Sequence, residues 1–158
     1  MALRLAAHGL DLALPAGWEG RIRRRAAATP GERTYPVVHL ATVPLPEERG
    51  DFGGFVVDTL VGDDVFVTLF EYGPESANKS LFATRGLPRT LRADQFSPRR
   101  LQRSLPGQTG CQIFFTEAGR AFCLYVVVGD RRQITRGISR VNSLLADVRV
   151  TKTGVESG

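Results

Sequence analysis

Two cysteines and two histidines are the side chains from which nucleophilic or metal chemistry would be built. Cys111 and Cys123 lie twelve positions apart in the apolar stretch GCQIFFTEAGRAFCLYVVVGD, residues 110–130. This spacing matches no zinc pattern, and His8 and His39 are far away along the chain. We therefore predict no metal site and no cofactor. His39, within VVHLA, is interpreted as a satisfied core residue.

The elements around the cysteines explain them as structural. CQIFFT and RAFCLYVVV are typical of two strands, and a two-residue Ala-Gly turn between them pairs residues whose numbers sum to 237. Cys111 would then face Val126. Cys123 would face Phe114, on the opposite side of the sheet. The sequence therefore predicts two free, buried thiols rather than a disulfide.

Known catalytic and nucleotide-binding motifs are missing from the sequence. It has no G-x-S-x-G nucleophile elbow, no H-E-x-x-H, no Walker loop and no G-x-G-x-x-G. GDFGG (50–54) contains the Asp-Phe-Gly tripeptide of protein kinases, but no glycine-rich loop or catalytic-loop sequence accompanies it. We interpret that segment as a turn. The sequence therefore predicts a protein that is not an enzyme.

Charge points to an acidic partner, but only weakly to nucleic acid. The net charge is +5, and the basic residues are 19 Arg against two Lys, a bias that codon usage in a GC-rich genome produces. Residues 47–75 carry a net charge of −7 and residues 76–109 a net charge of +6. We expect these two segments to attract each other, either within the fold or between copies in a homo-oligomer.

Alternating and apolar patterns predict an antiparallel sheet. LDLAL (10–14) and WEGRIRRR (18–25) are predicted to be two strands that form a hairpin. The arginine run of the second strand could bind phosphate, although we favour a solvated or edge-protecting row of charges. VVHLATV (37–43) is a further strand, and DDVFVTLFEYG (63–73) is apolar on both faces, as in a central strand.

The second half of the chain includes a predicted long loop region and a predicted helix. Residues 74–109 are rich in proline, with a short helix at SPRRLQRSL (97–105). DRRQITRGISRVNSLL then predicts a long amphipathic helix capped by Asp130, whose apolar stripe consists of Ile134, Ile138, Val141 and Leu145. DVRV is expected to add an edge strand.

Two arginine-rich surfaces are the candidate partner sites. One is the polar face of the predicted helix, and the other is the loop region before the hairpin: Arg132, Arg136, Arg140 and Arg99, Arg100, Arg103. We predict a non-catalytic protein-binding or assembly module with an acidic protein partner. The alternative is a small-molecule-binding protein or unrecognised enzyme with a pocket near the loops 50–54 and 96–104.

The order of elements resembles a known group of domains. The opening LPAGWEGRI, with Leu14, Pro15, Gly17 and Trp18, and the C-terminal helix are similar to the Mog1/PsbP-like α+β domains. That resemblance implies a twisted antiparallel sheet with the helix packed on it, and a binding or accessory role. The stretches GDFGGFVVDTLVGDDVFVTLFEYG and PGQTGCQIFFTEAGRAFCLYVVVG resemble an uncharacterised family from high-GC Gram-positive bacteria.

The whole sequence is interpreted as one α+β domain over residues 1–151 followed by a flexible tail at 152–158. The N-terminal apolar residues are interrupted by polar ones, which disfavours a signal peptide, and no window has the length of a membrane span. We therefore expect a cytoplasmic protein without a membrane partner.

Overall fold

Two antiparallel sheets and one helix form the framework of the protein. The computed structural model describes residues 3–152. In chain order its strands and helix are β1 (Leu3–Ala7), β2 (Leu10–Leu14), β3 (Glu19–Arg24), β4 (Pro36–Ala41), β5 (Val65–Glu71), β6 (Thr109–Glu117), β7 (Arg120–Val128), α1 (Ile134–Leu145) and β8 (Arg149–Val150). The small sheet has the order β1-β2-β8, and the large sheet has the order β3-β4-β5-β7-β6. The predicted α+β class with antiparallel pairing is confirmed.

The large sheet is organised around its most apolar strands. β5 lies between β4 and β7, so the prediction of a central strand within residues 63–73 is confirmed. Every residue of β7 is buried, since this strand is paired on both sides and covered on both faces. Strands of this kind are continuous apolar runs rather than alternating ones.

Each face of the large sheet is covered by a different layer. On the first face, α1 and the small sheet bury residues such as Leu12 and Val141 against Val67. On the second face, the segments between strands bury Leu45 and Val57 against Tyr125. The candidate arginines are divided between the two layers: Arg136 and Arg140 lie on α1, whereas Arg99, Arg100 and Arg103 lie in the connection before β6.

The predicted hairpin of residues 10–14 and 18–25 is wrong, although both strands exist. β2 pairs with β1 and β8, whereas β3 pairs with β4 in the other sheet. The leucines of β2 are buried against the large sheet, so this strand must lie in a separate layer. Gly17, with a φ of +87°, lies in the connection where the chain passes between the layers.

The C-terminal helix is shorter than predicted. Asp130 caps a 3₁₀ turn at Arg131–Gln133 by accepting a hydrogen bond from the backbone N–H of Arg132, and α1 follows with 12 residues. Of the predicted apolar stripe, Val141 and Leu145 are buried and the two isoleucines are half-buried. The helix ends before Val148, because that residue is buried and leads into β8.

The helix predicted at 97–105 is only a three-residue 3₁₀ turn, Pro98–Arg100. Ser97 still caps it, because its side chain accepts a hydrogen bond from the N–H of Arg99 at 3.2 Å. Pairing of Ser97 with Gly110 draws the chain along the edge of β6, which is incompatible with a longer helix.

The ends of the described chain meet in the small sheet. The predicted DVRV edge strand is confirmed as β8, which pairs with β2. The predicted tail at 152–158 lies, apart from Lys152, outside the described residues. Within residues 3–152, no helix combines the length and the apolar character that crossing a bilayer requires.

Candidate binding sites

The β6–β7 hairpin buries both thiols. Cys111 faces Val126, and Cys123 faces Phe114, so the predicted register is confirmed. The two cysteines are free and project into different apolar clusters on opposite faces of the sheet. Burial raises the pKa of Cys111 to about 11 and the pKa of Cys123 to about 12. Thiols held in the protonated form are poor nucleophiles.

His39 is a satisfied core residue, as predicted. It is fully buried, its Nε2 donates to the carbonyl of Asp51 at 2.9 Å, and its Nδ1 accepts from Nε of Arg49 at 2.8 Å. Burial lowers the pKa of His39 to about 4, so the ring is neutral. Both ring nitrogens are occupied. Within the part of the chain that the structure describes, no three His, Cys, Asp or Glu side chains are grouped as a metal site.

The helix arginines are partly engaged by the chain's own acids. Arg132 is 84% exposed but pairs with Asp130 at 3.0 Å. Arg140 donates to the carbonyl of Asp63 at 3.2 Å and lies 3.5 Å from its carboxylate. Arg136 is exposed and forms no ion pair within residues 3–152. Of this face, Arg136 is therefore the residue most available to a partner.

The segment 96–104 is held rigidly against the second face of the large sheet. Ser97 and Gly110 exchange two backbone hydrogen bonds, of 2.8 and 3.3 Å. The N–H of Gln102 donates to the hydroxyl of Tyr125 at 2.7 Å, and Leu101 packs on the apolar cluster below. The segment is thus preorganised rather than loose.

This rigid segment presents its arginines to solvent. Arg99 and Arg100 are exposed, and neither forms an ion pair among the residues that the structure describes. Arg103 pairs with Asp58 at 3.2 Å. That ion pair joins the basic segment 76–109 to the acidic segment 47–75, which is one instance of the predicted attraction within the fold.

The neighbouring segment 50–64 carries two exposed apolar side chains. Phe55 is 64% exposed and Val61 is 71% exposed. Phe55 also has a φ of +71°, a conformation that is rare for an aromatic residue and common at functional sites. A buried hydrogen bond of 2.7 Å, from Gln108 to the carbonyl of Val57, holds this segment against the chain that precedes β6.

The space beneath the loops 50–54 and 96–104, where a pocket was predicted, contains packed aromatic residues. Phe52 stacks on Phe70 with ring centroids 5.2 Å apart, and it meets Tyr125 edge-on at 5.5 Å. A cleft lies elsewhere, at the end of the large sheet where β3 ends, β4 begins and β5 ends.

This cleft has a volume of about 220 Å³ and combines cations with aromatic rings. Its lining comes from the β3–β4 connection, the loop after β4 and the end of β5: Arg25, Arg33, Thr34, Tyr35, Val37, Asp51, Phe70, Glu71, Tyr72 and Gly73. The rings of Phe70 and Tyr72 are half-buried and 5.0 Å apart. Burial raises the pKa of Tyr72, so its hydroxyl keeps its proton.

The acids of the cleft are neutralised, whereas its arginines are not. Glu71 is paired with buried Arg120, and Asp51 lies 3.6 Å from Arg23. Arg25 and Arg33 are exposed and form no ion pair within residues 3–152.

Two further carboxylates lie close to the cleft. The carboxylate of Glu32 accepts hydrogen bonds from the backbone N–H groups of Ala28 and Thr29, so it is directed into its own loop. The carboxylate of Glu75 lies against Gly73 and is exposed. Within residues 3–152, Arg25 and Arg33 are therefore the charged side chains of the cleft lining that have no ion-pair partner.

Sequence reasoning missed Phe55 and most of the cleft. The arginine run of WEGRIRRR was the one available signal, because its phosphate-binding alternative includes Arg25. Arg33, Tyr35 and Tyr72 carried no signal, because only the pairing of β4 with β5 brings the β3–β4 connection next to the end of β5.

Comparisons of this chain with protein-family models, with curated proteins and with solved structures found no match. The function proposed for this chain therefore rests on its fold and its surface chemistry.

Proposed function

We propose that the protein is a non-catalytic, cytoplasmic binding module that docks an acidic protein partner. The docking surface, named here the loop surface, consists of Phe55 and Val61 of the segment 50–64 together with Arg99, Arg100 and Arg103 of the segment 96–104. The observation that carries the proposal is Phe55, which is an exposed aromatic side chain on a backbone with a φ of +71°.

An exposed Phe together with arginines has the composition of an interaction hot spot. Aromatic residues and arginine are enriched at interface cores, whereas lysine is depleted. The Asp58–Arg103 ion pair joins the two segments of the surface, and hydrogen bonds to Tyr125 and from Gln108 hold them on the sheet. A surface ordered before binding loses less conformational entropy when the partner arrives.

Charge determines the class of partner. Arg99 and Arg100 have no acidic neighbour in the described part of the chain, so an acidic partner would gain ion pairs without breaking existing ones. The helix surface is less suitable, since Arg132 and Arg140 are already paired. The resemblance to Mog1/PsbP-like domains, a group of binding and accessory modules, points to the same class of function.

Affinity capture from native-cell lysate tests the proposal with three baits. These are the wild type, the Phe55→Ala variant and a double variant, Arg99→Glu with Arg100→Glu. A matched control reverses the charge of the helix surface instead, with Arg132→Glu and Arg136→Glu. All substituted side chains are exposed, so equal thermal unfolding midpoints are expected.

We expect an acidic partner that the wild type and the helix control retain and that both loop-surface variants lose. Phe55→Ala should weaken binding by about 2 kcal/mol or more if Phe55 is a hot spot. Charge reversal should act mainly at low ionic strength, because salt screens exposed charges. A partner lost only in the helix control would overturn the loop surface, and retention by every bait would overturn the proposal. Self-association of the chain, measured by sedimentation, would identify a second copy as the occupant.

A further inference from the structure

The cleft at the end of the large sheet lies apart from the loop surface and combines features of a small-ligand site. Ligand sites are concave, largely apolar and provided with a few convergent polar groups. Phe70 and Tyr72 provide half-buried rings, and Arg25 and Arg33 provide charges that no acid of the described chain neutralises. The four residues come from two parts of the chain, the β3–β4 connection and the end of β5, and the pairing of β4 with β5 brings these parts together.

The volume of the cleft indicates how large a group it can enclose. A cavity of about 150 Å³ accommodates one benzene ring. The cleft, at about 220 Å³, therefore has room for a single ring with one small substituent.

The charges of Arg25 and Arg33 indicate that the substituent on the ring of the ligand is an anion. Guanidinium groups bind carboxylates through two parallel hydrogen bonds, and these charge-assisted bonds are stronger than neutral ones. Two arginines from opposite ends of the β3–β4 connection would contact the same anion, while the ring of the ligand packs on the aromatic side chains. A neutral or cationic ligand would leave this charge uncompensated.

From these observations we infer that the cleft binds a small aromatic carboxylate, with Arg25 and Arg33 at the carboxylate and Phe70 and Tyr72 at the ring. The site is one of binding alone. It does not depend on the protein partner proposed above, because it shares no residue with the loop surface.

Calorimetric titration with benzoate, together with amide chemical-shift perturbation by NMR, tests this inference. The comparison ligands are benzamide, which is a neutral molecule of the same shape, and inorganic phosphate, which lacks the ring. The variants are Arg25→Gln and Arg33→Gln. The matched control is Arg24→Gln, which removes the same charge one residue from Arg25 at a position that does not line the cleft.

We expect benzoate to shift the amides of residues 33–35, 37 and 70–73. It should bind at least about tenfold more tightly than benzamide, the ratio that one charge-assisted hydrogen bond provides. Each cleft variant should weaken benzoate binding by about tenfold, and the Arg24→Gln control should leave it unchanged. Equal binding of benzoate and benzamide, or an equal loss in the control, would overturn the inference. Phosphate binding as tight as that of benzoate would contradict the role of the ring, and no shift at about 10 mM benzoate would exclude the site.

Discussion

Arg120 and Glu71 form a buried two-point ion pair between neighbouring strands of the large sheet, and Arg120 also contacts the small sheet. Nε of Arg120 lies 2.9 Å from one carboxylate oxygen, Nη2 lies 2.5 Å from the other, and both side chains are almost fully buried. The same guanidinium donates to the carbonyls of Thr151 and His8, each at 3.0 Å. His8 lies in the β1–β2 turn and Thr151 follows β8, and these two segments are neighbours at one end of the small sheet. One side chain of the large sheet therefore holds that end of the small sheet.

Removal of the cation should be strongly destabilising. In Arg120→Met, the carboxylate of Glu71 stays buried without its counter-charge, and two backbone carbonyls lose their donors. We expect the free energy of unfolding to fall by about 3–5 kcal/mol, as for other broken buried pairs. Urea unfolding followed by circular dichroism measures the change.

The double variant Arg120→Met with Glu71→Met separates the broken pair from lost packing. Apolar residues of similar volume often replace a buried ion pair at little cost, so the double variant should be more stable than the single one. A double variant that is less stable than Arg120→Met would show that the ion pair is not the main contribution.

His39 makes stability depend on pH. Its pKa is about 4 in the folded protein, below the ordinary 6.5, because burial and the nearby Arg49 and Arg23 disfavour the cation. The unfolded chain therefore binds a proton more readily than the native protein. This contribution to stability is complete above pH 6.5 and is lost as the pH falls towards 4, by about 3 kcal/mol in total.

The His39→Gln variant isolates this contribution, since carboxylates also titrate below pH 5. Gln can donate to the carbonyl of Asp51 and accept from Arg49, but it has no proton to gain. The difference in unfolding free energy between wild type and variant should therefore change between pH 7 and pH 4.5, measured by urea unfolding at both values. His8→Gln, which replaces an exposed histidine, serves as the control. A constant difference for His39→Gln would contradict the lowered pKa.

Local patterns predicted β2 to β8 and the register of one strand pair, whereas β1 and the division of the strands between two sheets were not predicted. The register of β6 and β7 follows from the two-residue turn, because turn length alone fixes which residues face each other. The layer of β2 did not follow from its pattern, because alternation identifies an apolar face without identifying the sheet that covers it.

The candidate site was predictable only by residue type. The arginines were found as a charged face and a basic loop, but the pairing of Arg103 with Asp58 and of Arg140 with Asp63 depends on contacts between distant segments. The same limit applies to the cleft, which joins residues from three separate parts of the chain. Positive φ at Phe55 is a property of the folded backbone that no periodicity encodes.

The hairpin turn offers a stabilising substitution. Ala118 and Gly119 have φ values of +53° and +75°, the two left-handed positions that a type I′ turn requires. Asn tolerates this conformation better than Ala, so Ala118→Asn should raise the free energy of unfolding by about 0.5–1 kcal/mol.

Gly119→Ala should have the opposite effect. A Cβ at this position has open space, so the cost would come from the backbone angle alone. Thermal unfolding of both variants measures the changes, and a stabilised Gly119→Ala protein would contradict the assigned turn type.

The backbone conformation of Phe55 should lower the stability of the protein, whereas its exposed ring should contribute to binding. Its positive φ costs an L-residue about 1 kcal/mol, and its exposed ring provides little packing in return. Phe55→Gly should therefore raise the free energy of unfolding by about 1 kcal/mol, partly offset by the greater chain entropy of glycine. Phe55→Ala retains the Cβ and should gain much less. Urea unfolding of both variants measures the strain, and affinity capture measures the partner. We expect the Phe55→Gly protein to be more stable and to lose the partner. Unchanged binding would mean that the strained backbone at Phe55 is needed for the conformation of the loop and not for contact with the partner.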